Sequence, residues 1–199
     1  MTMLQGAHVI ITGGSQGIGP AFAKEAHDAG ARFSLVARHL EGLTQAAAAI
    51  GPGVLWRAAD VTEPESLNAA LAALTAESGP CDILLCCAGA ALPGRFLDVP
   101  AQEFQEQWRL NVGGSWSPDT QMPGFAAENL RKPSETVAIS GAVQAMPAQR
   151  VAACLVRGIE RNSRNITVDA VTRILLLLGG LAEPILHWSF SRTVTKARR

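Results

Sequence analysis

Thr12-Gly13-Gly14-Ser15-Gln16-Gly17-Ile18-Gly19 lies between a short β-branched run at residues 7–12 and an alanine-rich stretch at residues 20–29. Glycines between a strand and a helix let the backbone turn sharply and approach a phosphate. The helix N-terminus behind them offers free N–H groups and the positive end of a dipole. Gly30 closes the alanine-rich stretch as a helix C′ residue, and residues 33–37 read as a second buried strand. A ligand-free strand–helix turn would have the same glycines. The strand before, the helix after and the second strand closing the unit weigh toward a dinucleotide site.

Outward from this unit the alternation continues. Residues 54–58 and 83–87 read as third and fourth strands. Between them Thr62-Glu63-Pro64-Glu65 has the form of a capping box, with Thr62 as N-cap and Glu65 at N3. Behind it Leu67, Ala70, Leu71 and Leu74 fall on one helical face. Strands alternating with helices imply an α/β chain with a Rossmann-type, doubly wound parallel sheet.

The second half is less regular. Residues 100–110 form a helix with Phe104, Trp108 and Asn111 at i, i+4 and i+7, which puts the three on a shared face. Periodicity stops after Asn111. A helix is expected within residues 146–161, with Val151, Leu155 and Ile159 aligned, then a last strand at 165–171 and an apolar stretch at 174–190. The expected organisation is one domain over residues 1–199. Within it, 1–111 form the dinucleotide-binding part and 174–199 an apolar C-terminal segment.

Acidic and basic residues balance at 17 each, and 48% of the chain is hydrophobic. A nucleic-acid partner is therefore not expected, and neither is disorder. The first residues show neither a signal nor a transit peptide, so a cytoplasmic location is expected. Cys81, Cys86, Cys87 and Cys154 have no zinc-site spacing and read as reduced, buried thiols.

Cofactor choice is read at the end of the second strand. An NAD site usually carries an acid about 20 residues past the glycine loop, for the ribose 2′-hydroxyl. Here Val36-Ala37-Arg38 carries a cation instead, and a guanidinium suits a 2′-phosphate. NADP(H) is the expected cofactor.

Together the glycine loop, Asp60-Val61 after the third strand, Ala88-Gly89 after the fourth and Asn111 on the next helix resemble the short-chain dehydrogenases/reductases. A second stretch narrows the likeness. Pro118-Asp119-Thr120, Pro123-Gly124-Phe125-Ala126, Glu128-Asn129, Lys132-Pro133 and Glu135-Thr136 resemble the substrate loop of 3-ketodihydrosphingosine reductases, which use NADPH on a long-chain 3-keto sphingoid base. The resemblance implies a substrate loop and lid over residues 117–145. It also implies that Gly13, Ser15, Gln16, Gly17, Ile18 and Gly19 hold the pyrophosphate and neighbouring ribose, and that Arg38 takes the 2′-phosphate. Asp60 and Val61 would meet the adenine, Ala88 and Gly89 the ribose edge, and Thr120 the cofactor from the loop. Asn111 would hold a water in the proton relay. Three positions depart from the pattern: Cys86, where asparagine is commoner, Gly42, in place of a basic residue, and Met122, in place of threonine.

The largest departure concerns the chemistry. In that family a tyrosine donates a proton to the carbonyl, a lysine four residues later lowers its pKa, and a serine orients the substrate. An unassisted phenol, with a pKa near 10, is a poor acid at neutral pH. This chain has no tyrosine. Asn111 is followed six residues later by Ser117-Pro118, which belongs after the whole tyrosine unit. On the order of 60 residues are thus absent, one βαβ crossover alone taking about 30. The expected sheet accordingly lacks central strands and the Tyr/Lys helix. Ser140 imitates a catalytic serine but follows the lid pattern, and reads as a surface residue.

Two functions follow as expectations. One is an NADPH-dependent reductase of a hydrophobic small-molecule ketone, a long-chain 3-keto sphingoid base above all. The other is a catalytically inactive NADP(H)-binding or interaction protein. A homo-oligomer is expected in either case. Residues 174–190 are slightly short for a membrane span and are broken by Glu183 and Pro184. They read as a core or subunit-interface segment, or as a peripheral membrane contact through 174–199 with Trp188 at the boundary.

Overall fold

The computed structural model describes residues 3–95, 97–114 and 146–178. The expected Thr120, the substrate loop and lid at 117–145, Ser140 and most of the apolar C-terminal segment lie outside the described residues.

Four parallel strands form one sheet: β1 (His8–Thr12), β2 (Arg32–Ala37), β3 (Leu55–Ala58) and β4 (Ile83–Cys86). Their order is β3-β2-β1-β4. Ile11 of β1 sits between Leu35 of β2 and Leu85 of β4. Because successive side chains face opposite ways, β1 supplies two cores. Val9 and Ile11 point to one side with Phe33 and Leu35, while Ile10 points to the other with Val36.

Helices lie on both faces, although Leu84 and Cys86 of β4 stay exposed. On the first face lie α1 (Ile18–His27) and α2 (Leu40–Ile50), which bury Phe22, Ala23, Ala26, Leu43 and Ile50. On the second lies α3 (Pro64–Ser78), with Ala70 and Leu74 buried against Ile10. Beyond β4 comes α4 (Ala101–Gly114), and two later helices follow, α5 (Ala148–Glu160) and α6 (Ala170–Leu178). The face that was expected to align Val151, Leu155 and Ile159 packs α5 on α1. Val151 is buried with Ile18 and Ala148, while Ala152 enters the main core beside Leu155 and Ile159.

A polar staple lies inside the second core. His8 is fully buried, and its Nδ1 lies 2.9 Å from the Gly79 carbonyl. A carbonyl only accepts, so Nδ1 carries the proton and Nε2 accepts the Ser34 hydroxyl at 2.8 Å. The His8 amide donates to Asp82 at 2.8 Å. One residue thus ties β1 to β2 and to the turn before β4.

Several expectations are corrected. Glu63, not Thr62, is the N-cap of α3, and it makes no side-chain cap bond. Both donors of Thr62 go to Asp60 instead, a charged acceptor two residues back. Residues 165–169 form no strand. Asp169 accepts the Thr172 amide and hydroxyl, each at 2.7 Å, and so starts α6. The cysteines form no disulfide among the described residues and are not buried: Cys81 and Cys86 are exposed, and Cys87 and Cys154 are half-buried. On α4 the half-buried positions are Glu103, Gln107, Leu110 and Asn111. Phe104 and Trp108, expected to share the inner face, are 53% and 61% exposed.

Candidate cofactor site

All the parallel strands end on the same edge, and the turns that follow them line one crevice. The glycine loop at residues 13–17 follows β1, Arg38 follows β2, Asp60 and Val61 follow β3, and Ala88 and Gly89 follow β4. The residues expected to hold a cofactor, Thr120 apart, are thus brought to one edge.

The loop is held by close backbone packing. Gly13 has φ +72°, and a Cβ there would lie 2.5 Å from the Cys87 carbonyl carbon and oxygen. Only glycine fits both the conformation and the contact. The Gly14 amide donates to the Val36 carbonyl at 3.1 Å, tying the loop to β2. A Cβ on Gly19 would lie 2.5 Å from the Gly13 carbonyl oxygen, so the first turn of α1 rests directly on the loop. The Ile18 side chain is buried against Ala148 and Val151, leaving its backbone to the crevice. Gly42, the departure in α2, lies under Ser15, where a Cβ would come within 3.1 Å of the Ser15 Cβ.

What these residues can hold follows from what they leave open. Gly17 caps α1 without a side-chain hydrogen bond, and the first turn carries no acid. The N–H groups and the dipole there are free to meet an anion. The Thr12 hydroxyl is buried with no hydrogen-bond partner among the described residues. A cradle of glycines against an uncapped helix N-terminus fits a dinucleotide pyrophosphate.

At the adenine end, Asp60 Oδ1 accepts the Thr62 amide at 2.8 Å and the Thr62 hydroxyl at 2.7 Å. These two bonds hold its carboxyl below the usual carboxylate range. The Arg38 and Arg109 guanidiniums add to the effect, against the desolvation of partial burial. Arg38 follows the end of β2, on the same edge of the sheet as Asp60, and is exposed.

At the other end, Asn111 grips the chain after β4. Its Nδ2 donates to the Ala90 carbonyl at 2.7 Å, and its Oδ1 accepts the Ala90 amide at 3.0 Å. One turn earlier Gln107 repeats the pattern, accepting the Leu92 amide at 2.9 Å and donating to the Leu92 carbonyl at 3.3 Å. Two amides spaced i, i+4 on α4 thus pair with residues i and i+2 of an extended segment. Gln107 escaped the sequence reading, although its i, i+4 spacing from Asn111 was visible. Beneath this segment burial pushes the Cys87 thiol up to about 12, with the neighbouring Cys86 adding to the effect.

A family model described as short chain dehydrogenase matches residues 7–122. A 3-ketodihydrosphingosine reductase of Bos taurus is 26% identical over 240 aligned positions, covering 84% of this chain and 72% of the relative. A 3-dehydrosphinganine reductase of Danio rerio is 36% identical over 123 positions, covering 58% of this chain but 37% of the relative. Among solved structures, a 3-ketoacyl-(acyl-carrier-protein) reductase of Brucella melitensis complexed with NADH aligns with a TM-score of 0.53 at 27% identity. It covers 69% of this chain and 54% of that one. The chain therefore spans from about a third to about three-quarters of the relatives it matches. The 240-position alignment is longer than the 199-residue chain, so the bovine relative has internal residues without a counterpart here.

Proposed function

The chain belongs to the short chain dehydrogenase family, and we propose that it binds NADP(H) at the strand-end crevice in the service of ketone reduction, with a long-chain 3-keto sphingoid base as substrate. The observation that carries the proposal is the uncapped α1 N-terminus behind Gly13–Gly19, with Arg38 in place of an acid after β2. When bound, the dihydronicotinamide supplies a hydride.

The residues divide the work of binding. Gly13, Ser15, Gln16, Gly17 and Gly19, with the Ile18 backbone, receive the pyrophosphate. Arg38 grips the 2′-phosphate with two parallel hydrogen bonds. Asp60 and Val61 bound the adenine pocket, and Ala88 and Gly89 the ribose. Asn111 fixes the Ala90 backbone that continues this wall, and Thr120 joins from the substrate loop. The assay is loss of NADPH absorbance on adding 3-ketodihydrosphingosine. Consumption that depends on both supports the proposal; none, with NADPH bound, rejects the reductase role.

A second reading has its own support: a protein that binds NADP(H) without turning it over. The chain contains no tyrosine, and the bovine alignment exceeds its length. In the same assay it expects saturable NADPH binding with no ketone-dependent consumption. A homo-oligomer belongs to either reading, since exposed Phe104, Trp108 and Val112 give α4 an apolar surface of the kind subunits bury. Light scattering at the monomer mass of 20.9 kDa would remove that part.

A further inference from the structure

Away from the crevice, the end of α5, the segment that follows it and α6 border an open cavity of about 460 Å³. Arg157, in the last turn of α5, and Arg161, the C-cap that follows it, line it together with Arg173 of α6. Ile166, Leu176 and Leu177 supply apolar walls, and among the described residues no carboxylate lines it. Among the described residues none of the three guanidiniums is in a salt bridge. The α5 C-terminus accounts for part of this, because the negative end of a helix dipole favours cations in the last turn. It does not account for Arg173, which belongs to another helix. Gly158 is required by the same construction, since a Cβ there would run into Ile166.

The apolar half of the feature is α6 itself. Its sequence is Ala-Val-Thr-Arg-Ile-Leu-Leu-Leu-Leu, and no residue in it is buried. Leu177 is 79% exposed and Val171 66%. Among the described residues no helix is long and apolar enough to cross a membrane. A short helix with exposed leucines, beside arginines gathered without carboxylates, has the composition of an element lying in a bilayer interface.

We infer that the cavity walled by Arg157, Arg161 and Arg173 receives the phosphate headgroup of an anionic phospholipid, while Leu176 and Leu177 enter the acyl layer beside it. Charge complementarity selects the occupant. Three guanidiniums around one cavity, with no carboxylate in its wall among the described residues, repel one another until an anion joins them, and guanidinium forks match phosphate oxygens. The leucines on the same wall distinguish a lipid from a free anion, because a soluble phosphate would leave them in water. The inference is independent of the cofactor proposal.

The test is flotation of the full chain with two vesicle populations, phosphatidylcholine alone and phosphatidylcholine with one-third phosphatidylglycerol. The expected result is binding to the anionic vesicles and little to the neutral ones, reversed by salt. Each arginine at an anionic surface contributes roughly fivefold, so R157Q/R161Q/R173Q weakens binding on the order of 100-fold. L176S/L177S weakens it by at least about tenfold. Inorganic phosphate alone gives no saturable micromolar binding. Equal binding to neutral vesicles overturns the inference, and so does unchanged binding by the arginine variant. Tight binding of inorganic phosphate without vesicle binding would make the site one for a soluble anion. The arginines are exposed, so the variants keep their fold, and circular dichroism with urea unfolding of the same samples checks it.

Discussion

The Asn111 side chain closes a two-point hydrogen bond on the backbone of Ala90, donating to its carbonyl at 2.7 Å and accepting its amide at 3.0 Å. The pair joins α4 to the segment that follows β4, and through it to the wall of the crevice. Gln107 extends the hold by one step to Leu92.

Breaking this clasp should loosen the wall before it unfolds the sheet. Asn111→Leu removes both bonds and cannot replace either. At roughly 0.5–1.5 kcal/mol per bond, the expected loss of stability is about 1–3 kcal/mol. Urea unfolding measures that loss. Hydrogen exchange should show faster exchange of the Ala90 amide, with β1 and β2 unchanged. Gln107→Leu should do the same at Leu92. Unchanged exchange in both variants would mean that the clasp is incidental.

Gly13→Ala should be more damaging than any exposed change. A side chain at φ +72° costs on the order of 1–3 kcal/mol, and the new methyl would lie 2.5 Å from the Cys87 carbonyl. Relief requires moving either the loop or β4. The expected outcome is a lower urea midpoint together with loss of NADPH binding. Gly53→Ala is the control, since it has similar backbone strain (φ +81°) but no atom within 4 Å, and it should leave binding intact.

His8 should be a stability residue with no part in binding. His8→Leu leaves the Ser34 hydroxyl without its partner in the core and the Gly79 carbonyl without a donor. Unsatisfied buried groups cost about 1–3 kcal/mol each, so a loss of about 2–6 kcal/mol is expected in urea. His8→Leu combined with Ser34→Ala should recover part of it, because the stranded hydroxyl is removed too. No recovery would contradict the staple.

The Cys87 thiol gives the fold an alkaline limit. Its pKa stands at about 12 against an ordinary 9.0, raised first by burial and then by Cys86. Below pH 9 both folded and unfolded thiols are protonated, so stability does not depend on this group. Between pH 9 and about 12 the unfolded thiol ionises while the folded one cannot, and stability falls. Cys87→Ala should flatten that limb in urea unfolding followed against pH. At neutral pH iodoacetamide should modify exposed Cys81 and Cys86 and spare Cys87. Rapid labelling of Cys87 in the folded protein would contradict its burial.

The strands were legible because apolar, β-branched runs ending in glycine leave few alternatives, and all four begin and end within a residue of the expected limits. The glycine loop was legible for the same reason, since its meaning depends on the strand and helix beside it. Asn111 is legible as a polar position on α4, but the water-holding role expected for it differs from the clasp on Ala90, and its neighbours differ from expectation. Apolar spacing points Phe104 and Trp108 inward, whereas α4 turns Gln107 and Asn111 toward a backbone segment that needs hydrogen bonds. Hydrophobic periodicity has no term for that need. Thr62 was misassigned as a cap because the competing acceptor, Asp60, lies outside the capping-box pattern. The start of α6 carries a usable signal, Asp169 three residues before Thr172, which lies inside the stretch whose apolar residues suggest a strand. His8 gave no signal, because its partners at Ser34 and Gly79 are distant in sequence.

NADP(H) binding in the crevice, through the α1 N-terminus and Arg38, is tested by a fluorescence titration with NADPH and NADH, on the wild-type chain and on Arg38→Ala. The expected result is saturable NADPH binding, tighter than NADH by on the order of 10-fold or more, since a charge-assisted bidentate contact is worth about 1.5–3 kcal/mol. Arg38→Ala should erase that preference and leave NADH binding unchanged. No saturable binding of either nucleotide would contradict the site, and a preference that survives Arg38→Ala would contradict the role of Arg38.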